Sequence, residues 1–151
     1  MTVANIKTRL NAGIASRLLA YSGLVALVAA RIYSQDSRPD NDPLPAVEVQ
    51  CISSPHGYTL TGSDGRGVAR YQFTAIAAQP QTVTDASGVT IVGADEVAGQ
   101  IVAAFDGFHG TMGDVEVQAA FVIDDGREVP KEEGLEIYGV QVDVQIIYTI
   151  D

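Results

Sequence analysis

The clearest strand pattern in the sequence is an alternation of apolar and polar residues over residues 137–150. The apolar positions are Tyr138, Val140, Val142, Val144, Ile146, Tyr148 and Ile150. Residues 115–123 repeat the pattern over a shorter length. A period of two places the apolar side chains on one face, so both segments predict β-strands, with turns expected at residues 124–126 and 132–134. A sheet with one apolar face needs a second layer to cover it.

Two other segments alternate in the same way. Residues 46–52 and 68–77 predict a second pair of strands, the latter with Tyr71, Phe73 and Ala75 on its apolar side. The glycine-rich residues 53–67 between them predict a projecting hairpin arm, with a short strand at residues 58–61. If the arm is a hairpin, the two strands on either side of it are antiparallel.

The N-terminal region carries a helical pattern. Its larger apolar residues recur three or four apart: Val3, Ile6, Leu10, Ile14 and Leu18. Ser22 and Gly23 weaken this pattern. Residues 24–30 are therefore either a second short helix at an angle to the first or the continuation of one helix bent at Gly23. The polar residues 34–45, with three prolines, predict a loop.

A second helical pattern follows the small and polar linker at residues 79–93. Its apolar positions are Val97, Ile101, Ala104, Phe105 and Phe108. The helix is expected to begin near Ala94, with Gly93 or Asp95 at its N-cap, and to stop in the region of Gly107 and Gly110. The order helix, two strands, helix, two strands predicts an α+β fold.

The predicted architecture is a four-stranded antiparallel sheet with two main helices packed on one face and a projecting glycine-rich hairpin arm. With 151 residues, of which 46% are apolar and 19% charged, the chain is expected to form one domain over residues 1–151. The most apolar segment, residues 18–30, is shorter than the roughly 20 residues that a membrane span needs. We therefore expect no membrane association.

The charge balance and the single cysteine exclude several classes of site. Nine basic and nineteen acidic residues give a net charge of -10, and the basic residues are scattered, which disfavours binding along a nucleic-acid groove. An acidic wall would still let DNA pass without sticking to it. Cys51, the sole cysteine, can form neither an intramolecular disulfide nor a multi-cysteine zinc site. We expect it to be a small buried hydrophobic residue.

No catalytic constellation can be recognised from spacing. His56 and His109 do not have a metal-binding spacing, and residues 62–67 lack the ending of a phosphate-binding loop. The acidic pairs at residues 95–96, 124–125 and 132–133 are interpreted as solvated charge. A Ser-His-acid triad assembled in space would leave no such pattern, but we expect no enzyme, no cofactor and no metal.

The order of several segments resembles a known family. The segments are residues 29–33 (AARIY), 42–45 (DPLP) running into 46–49 (AVEV), 70–75 (RYQFTA), the helix at 97–108, and 145–148 (QIIY). In this order they are similar to the tail terminator proteins of long-tailed bacteriophages, also called tail completion or head-tail joining proteins. The resemblance covers nearly the whole chain. Residues 81–93 are longer than the family pattern leads us to expect.

The resemblance implies a ring, usually of six subunits, in the tail or neck of a virion assembled in the host cytoplasm. Such a ring caps the tail tube when elongation stops and offers a docking surface to the neck of the filled head. The implied partners are further copies of the chain, the tail tube protein and a neck or head-completion protein. DNA would pass through the lumen without specific binding. Six copies would carry six times -10, or -60.

Candidate contact residues follow from the same hypothesis. Arg31, Arg66 and Arg70 are candidates for ion pairs with a neighbouring subunit or the tube, because cations are scarce in this chain; ordinary solvated arginines are the alternative. The arm at residues 53–67 and the loop at 34–45 are expected to meet the tube or the neck, since loops on a rigid scaffold commonly carry recognition. In the arm the candidates are His56, Tyr58 and Asp64.

Two other functions remain open at this point. A head-completion or neck protein would form a similar ring on the portal side of the junction. A small-ligand-binding or enzymatic α+β domain would instead be a monomer with a deep pocket.

Overall fold

The computed structural model describes residues 3–34, 37–39, 43–54, 56–59, 62–132 and 137–149. Within these ranges the chain forms three helices: α1 (Val3–Ala20), α2 (Ser22–Val28) and α3 (Ala94–Phe105). The strands are β1 (Ile32–Ser34), β2 (Ala46–Ser53), β3 (His56–Thr59), β4 (Gly62–Ala77), β5 (Val83–Thr84), β6 (Thr90–Ile91), β7 (Gly110–Met112), β8 (Val115–Glu132) and β9 (Ile137–Thr149).

The main sheet is larger than predicted and is mixed. Six strands lie in the order β1-β2-β4-β9-β8-β7, and β3 pairs with β4 beside them, which makes seven. β1 runs parallel to β2, whereas the other pairings of this sheet are antiparallel. The prediction of a four-stranded antiparallel sheet is therefore wrong. The two additional edge strands, β1 and β7, have three residues each, which is too short for a period of two to be recognised.

The N-terminal helical region is broken in two. α1 and α2 are separate helices, bent by 83° at Tyr21, so the structure has three helices and not two main ones. Tyr21 adopts an extended conformation and is the N-cap of α2, where its carbonyl accepts the backbone N–H groups of Leu24 and Val25. Among the described residues no single helix is long and apolar enough to cross a membrane; only this bent pair reaches the required length and composition.

All three helices and one face of the sheet share one apolar core. The helices contribute Ile6, Leu10, Ile14, Leu18, Leu24, Val28, Val97, Ile101, Ala104 and Phe105. On the sheet, Tyr71, Phe73 and Ala75 are fully buried, as their alternation predicts. The rings of Phe73 and Phe105 stack with their centroids 5.0 Å apart. Each such large side chain stabilises the fold by about 1.5–3 kcal/mol on burial, so this shared core fixes the helices against the sheet.

The turn predicted at residues 124–126 is wrong, because these residues belong to β8. β8 continues to Glu132, and its register against β9 shifts between Asp124 and Arg127, which pair with Asp143 and Gln141. Three steps along β8 thus match two along β9, which is the signature of a β-bulge. The long ladder with β9 outweighs the local turn preference of the Asp-Asp-Gly sequence. The turn predicted at residues 132–134 falls largely on residues 133–136, outside the described residues.

The glycine-rich segment forms a hairpin, as predicted. β3 lies at His56–Thr59 instead of residues 58–61, and it pairs antiparallel with the first part of β4. β4 then continues without a break into the centre of the sheet, where it pairs with β2 and β9. Residues 60–61 lie outside the described part of the chain. The arm is therefore an extension of a central strand.

α1 approaches the turn between β7 and β8 very closely. A Cβ atom added at Gly13 would lie 2.6 Å from the carbonyl oxygen of Met112, a distance that real Cβ contacts essentially never show. Beside this contact, the Arg9 guanidinium bonds the Asp114 carboxylate with a distance of 2.9 Å between Nε and Oδ2. Glycine is thus required at position 13 by the packing of a helix on a backbone carbonyl.

This close approach predicts opposite effects for two helical glycine substitutions. Gly13→Ala should lower the free energy of unfolding by about 1–3 kcal/mol, because the methyl group forces α1 away from Met112. Gly99→Ala in α3 is the matched control: nothing lies within 4 Å of the added atom. It should raise stability by about 0.5–1 kcal/mol through helix propensity. Urea denaturation measures both, and equal stabilities of the two variants would contradict the packing described.

Candidate interaction surfaces

The sheet face opposite the helices carries a polar patch at its centre. Arg70 Nη2 donates to Asp143 Oδ2 at 2.9 Å, and Gln72 Nε2 donates to Asp143 Oδ1 at 3.1 Å. The Asp143 side chain is 13% exposed and that of Arg70 46%. One carboxylate of β9 is therefore held by two donors of β4. An exposed pair of this kind adds little stability, at most about 1 kcal/mol, but it fixes the positions of three polar groups on an open surface.

An exposed aromatic ring stands beside this patch. Phe121 of β8 and Arg70 of β4 both pair with Gln145 of β9, so the two side chains share the open face. Phe121 is 51% exposed. Aromatic residues and arginine are enriched in protein–protein interfaces. We call Arg70, Gln72, Phe121 and Asp143 the open-face patch, and its composition fits a surface that contacts another protein.

The predicted contact arginines have different environments. Arg31 donates from Nε to the carbonyl of Pro45 at 2.8 Å and from Nη2 to that of Leu27 at 3.3 Å, so it ties the end of α2 to the segment before β2. Arg66 is exposed and lies opposite Thr149 of β9. Arg70 belongs to the open-face patch. Their roles toward a partner remain predictions.

For the three candidate residues of the arm, the structure gives the strand in which each lies. His56 and Tyr58 lie in β3 and Asp64 lies in the first part of β4. Their side chains are outside the described part of the structure. The arm therefore groups these residues on one projecting hairpin, and their contacts remain predictions.

Arg17 has a structural role that its position in the sequence did not reveal. In the sequence it stands between the apolar positions Ile14 and Leu18 of α1, and in the structure its Nε and Nη2 donate to the carbonyl oxygen of Ala104 at 2.9 and 2.7 Å. Its guanidinium carbon also lies 4.0 Å from the centroid of the Phe108 ring. The last carbonyls of a helix have no partner within it and attract cations. Arg17 thus joins α1 to the C-terminal end of α3.

An open cleft of about 340 Å³ lies between α1 and the edge formed by β1 and β2. Its lining includes Lys7, Asn11 and Ile14 of α1, and Tyr33, Val49 and Cys51 of the strands. Cys51 is half-buried there and packs against the core, so the expectation of a buried hydrophobic residue is met only in part. We call this space the α1–β2 cleft. Its walls are mixed, with the polar Ser34 and Gln50 beside apolar side chains and one ammonium group, that of Lys7.

The floor behind this cleft is held by a buried phenol. Tyr71 Oη donates to Asn11 Oδ1 at 2.6 Å. Burial, with a smaller contribution from nearby Cys51, raises the pKa of Tyr71 well above its usual value, so the phenol stays protonated and keeps donating. Among the described residues no three His, Cys, Asp or Glu side chains come together as a metal site.

The segment predicted as a linker contains a small two-stranded ribbon. β5 and β6 pair through Val83 with Ile91 and Thr84 with Thr90. At its base the backbone N–H of Ala94 donates to the carbonyl of Gln79 at 2.9 Å. Val83, Val89 and Ile91 are 41%, 56% and 36% exposed. We call residues 83–91 the β5–β6 ribbon, a projecting element with apolar side chains in solvent.

The tip of the ribbon is ordered by one carboxylate. Asp85 Oδ1 accepts bonds from Ser87 Oγ at 2.6 Å, from the Ser87 N–H at 2.9 Å and from the Val89 N–H at 3.0 Å. The bond from the Ser87 hydroxyl, followed by that from the Val89 backbone, holds the pKa of Asp85 below its usual value. The tip is therefore negatively charged at neutral pH.

The comparisons with known proteins find a structural likeness over the whole chain. No family model matches the sequence, and no curated protein matches it. Fourteen chains of solved structures match. One belongs to the virion of a native gene transfer agent (GTA) particle, with a TM-score of 0.68 and 16% identity, over 98% of this chain and 99% of that one. The two chains therefore share their fold from end to end.

The position of Arg17 predicts a larger effect on stability than that of its neighbour Arg9 on the same helix. Arg17→Leu keeps an apolar stem but removes both donors to Ala104, and should lower the free energy of unfolding by about 1.5–3 kcal/mol. Arg9→Leu is the matched control. The Asp114 side chain that it pairs with is 64% exposed, so its loss should cost less than about 1 kcal/mol. Urea denaturation compares them; an Arg17 effect no larger than that of Arg9 would contradict the assignment.

Proposed function

We propose that this chain is a structural subunit of a phage-like virion, and more specifically a tail terminator. It forms a ring, with six subunits as the expected number, that caps the tail tube and joins it to the neck or head. The observation that carries the proposal is the end-to-end likeness of fold to a chain of a GTA virion, with 98% and 99% of the two chains covered. The resemblance of the ordered sequence segments to tail terminators is the finer support.

The described surface suits a subunit that meets other proteins. The core joins the helices to one face of the sheet, while the opposite face presents the open-face patch. The β3–β4 arm and the β5–β6 ribbon extend from this body. Such a division provides a rigid wall for a ring, with the arm available to recognise the tube or the neck.

The charge of the chain suits a conduit for DNA. Each copy carries a net charge of -10, so a ring of six would carry -60 before counterions bind. Phosphates are repelled by such a wall, and DNA would slide through the lumen with little adhesion. This supports a role in the passage of DNA instead of its storage. The proposed location is the tail or neck of the virion, after assembly in the host cytoplasm.

The α1–β2 cleft favours one alternative function. Its volume of about 340 Å³ lies at the lower end of the range of small-molecule sites, about 300–1,000 Å³. The alternative is that the chain is not a virion protein but a monomer that binds a small metabolite in this cleft. A metabolite that co-purifies with a monomer and contacts Lys7 would support it.

The proposal predicts that the arm serves assembly and not folding. Replacing residues 55–65 with a short Gly-Ser linker should leave thermal unfolding nearly unchanged, because β4 pairs with β9 only from Arg66 onward. Particles that carry this variant should have tails of uncontrolled length or heads without tails, counted by electron microscopy. Normal virions from a stably folded variant would contradict the role of the arm.

The position of the ring in the virion can be determined with a label on this chain. A label fused to this chain should appear at the upper end of the tail tube. A label seated on the portal side would identify a neck ring instead, which is the closest alternative within virion assembly.

The acidic surface predicts no retention of DNA. At about 150 mM salt, the fluorescence anisotropy of a labelled duplex should not rise up to about 100 µM protein, whereas non-specific DNA-binding proteins bind at roughly 10⁻⁴–10⁻⁶ M. The control is a double variant, Glu116→Lys with Asp124→Lys, at two exposed positions of β8. It changes the charge by four and should bind more tightly. Salt-dependent binding of the unmodified chain would count against a sliding conduit.

A further inference from the structure

The chain carries two surfaces that complement each other, the β5–β6 ribbon and the α1–β2 cleft. The β5–β6 ribbon exposes Val83, Val89 and Ile91, and the α1–β2 cleft has the half-buried Ile32, Val49 and Cys51 among its walls. The ribbon and the cleft lie on different parts of the same chain. Because the three ribbon side chains remain exposed, the ribbon does not fill the cleft of its own chain.

We propose that the β5–β6 ribbon of one subunit docks into the α1–β2 cleft of the next copy, head to tail. The inference rests on the proposed ring, and it names the surfaces through which neighbours meet. A projection and a recess on different parts of one surface form a heterologous contact, which closes into a ring when the rotation between copies is right. Each copy then gives one ribbon and receives one.

The charges at the two surfaces are complementary. Two copies of a chain with net charge -10 repel each other, so a contact between them needs a local attraction. Lys7 places an ammonium group at the cleft, and Asp85 places a carboxylate at the tip of the ribbon. Since the three bonds that hold the tip end on Asp85 Oδ1, the second oxygen can still accept a bond from Lys7 of the next copy.

The shape of the ribbon suits insertion. The three bonds to Asp85 order its tip, and the bond from Ala94 to Gln79 fixes its base against the start of α3. An element that is already ordered loses little conformational freedom when it docks. Val89 at the tip is 56% exposed, the largest exposed fraction among the exposed large apolar side chains of the described residues. Docking would remove this apolar surface from water.

The sole cysteine of the chain allows a direct test. Cys51 lies in the cleft, so one cysteine added to the ribbon can report on the contact. Ala86→Cys and Val89→Cys, each in the full chain, should form disulfides with Cys51 of the next copy under mild oxidation, since a disulfide needs Cα atoms about 4.4–6.8 Å apart. Non-reducing gels should show a ladder from dimers to higher oligomers, because each copy both gives and receives a ribbon.

Two controls test whether the ladder comes from the contact between the ribbon and the cleft. Ala103→Cys places the added cysteine on the exposed side of α3 and should give no ladder. Ala86→Cys with Cys51→Ser removes the acceptor thiol and should also abolish it, which excludes disulfides between two ribbons. A ladder in either control would overturn the assigned contact.

The charge pair gives an independent readout. Lys7→Glu should weaken self-association in analytical ultracentrifugation by about tenfold or more at low salt, with a smaller effect at high salt. Lys7→Arg keeps the charge and should associate as the unmodified chain does. An unchanged association constant for Lys7→Glu would contradict the pairing with Asp85.

The outcomes separate this inference from the proposed ring. Rings seen by microscopy without any cross-linked ladder would overturn the ribbon contact and leave the tail terminator proposal standing. A ladder that ends at the dimer would contradict a head-to-tail arrangement, because reciprocal exchange closes after two copies. A ladder together with rings would support both.

Discussion

The antiparallel pairing of β4 with β9 is the interaction on which the other features depend. It extends from Arg66 opposite Thr149 to Ala77 opposite Tyr138. Its register sends Tyr71 and Phe73 into the core, and it places Gln72 beside Asp143 on the open face. A slip of one residue would exchange the two faces of the strand. The core and the open-face patch are therefore two consequences of one register.

The sequence predicted the features that repeat over many residues. The apolar faces of α1, α3, β4 and β9 were recognised because each pattern continues for ten residues or more. The edge strands β1 and β7 were missed, since three residues show no period, and the four-stranded antiparallel sheet was wrong for that reason. The turn expected at residues 124–126 was wrong because the ladder with β9 extends β8 through a local Asp-Asp-Gly sequence.

The interaction surfaces were harder to predict, because they join residues far apart in the chain. Arg17 contacts Ala104 and Phe108, and no spacing in the sequence relates these positions. The β5–β6 ribbon lies in a segment without helical or strand periodicity, although its unusual length was noticeable. Arg70 was predicted to form an ion pair with a neighbouring subunit or the tube because cations are scarce in this chain. Its partner within the chain, Asp143, was not predicted. The arm was predicted from its glycines, which mark a hairpin directly.

The apolar faces of the helices and of the sheet close into one core within the chain, and we propose that the remaining surface serves further copies and virion proteins. Native mass spectrometry of the intact full-length protein, with cryo-electron microscopy of the same sample, tests this claim most directly. We expect a closed ring with a mass of six chains and an open central channel. A monomer with a metabolite or metal ion bound in the α1–β2 cleft would contradict it.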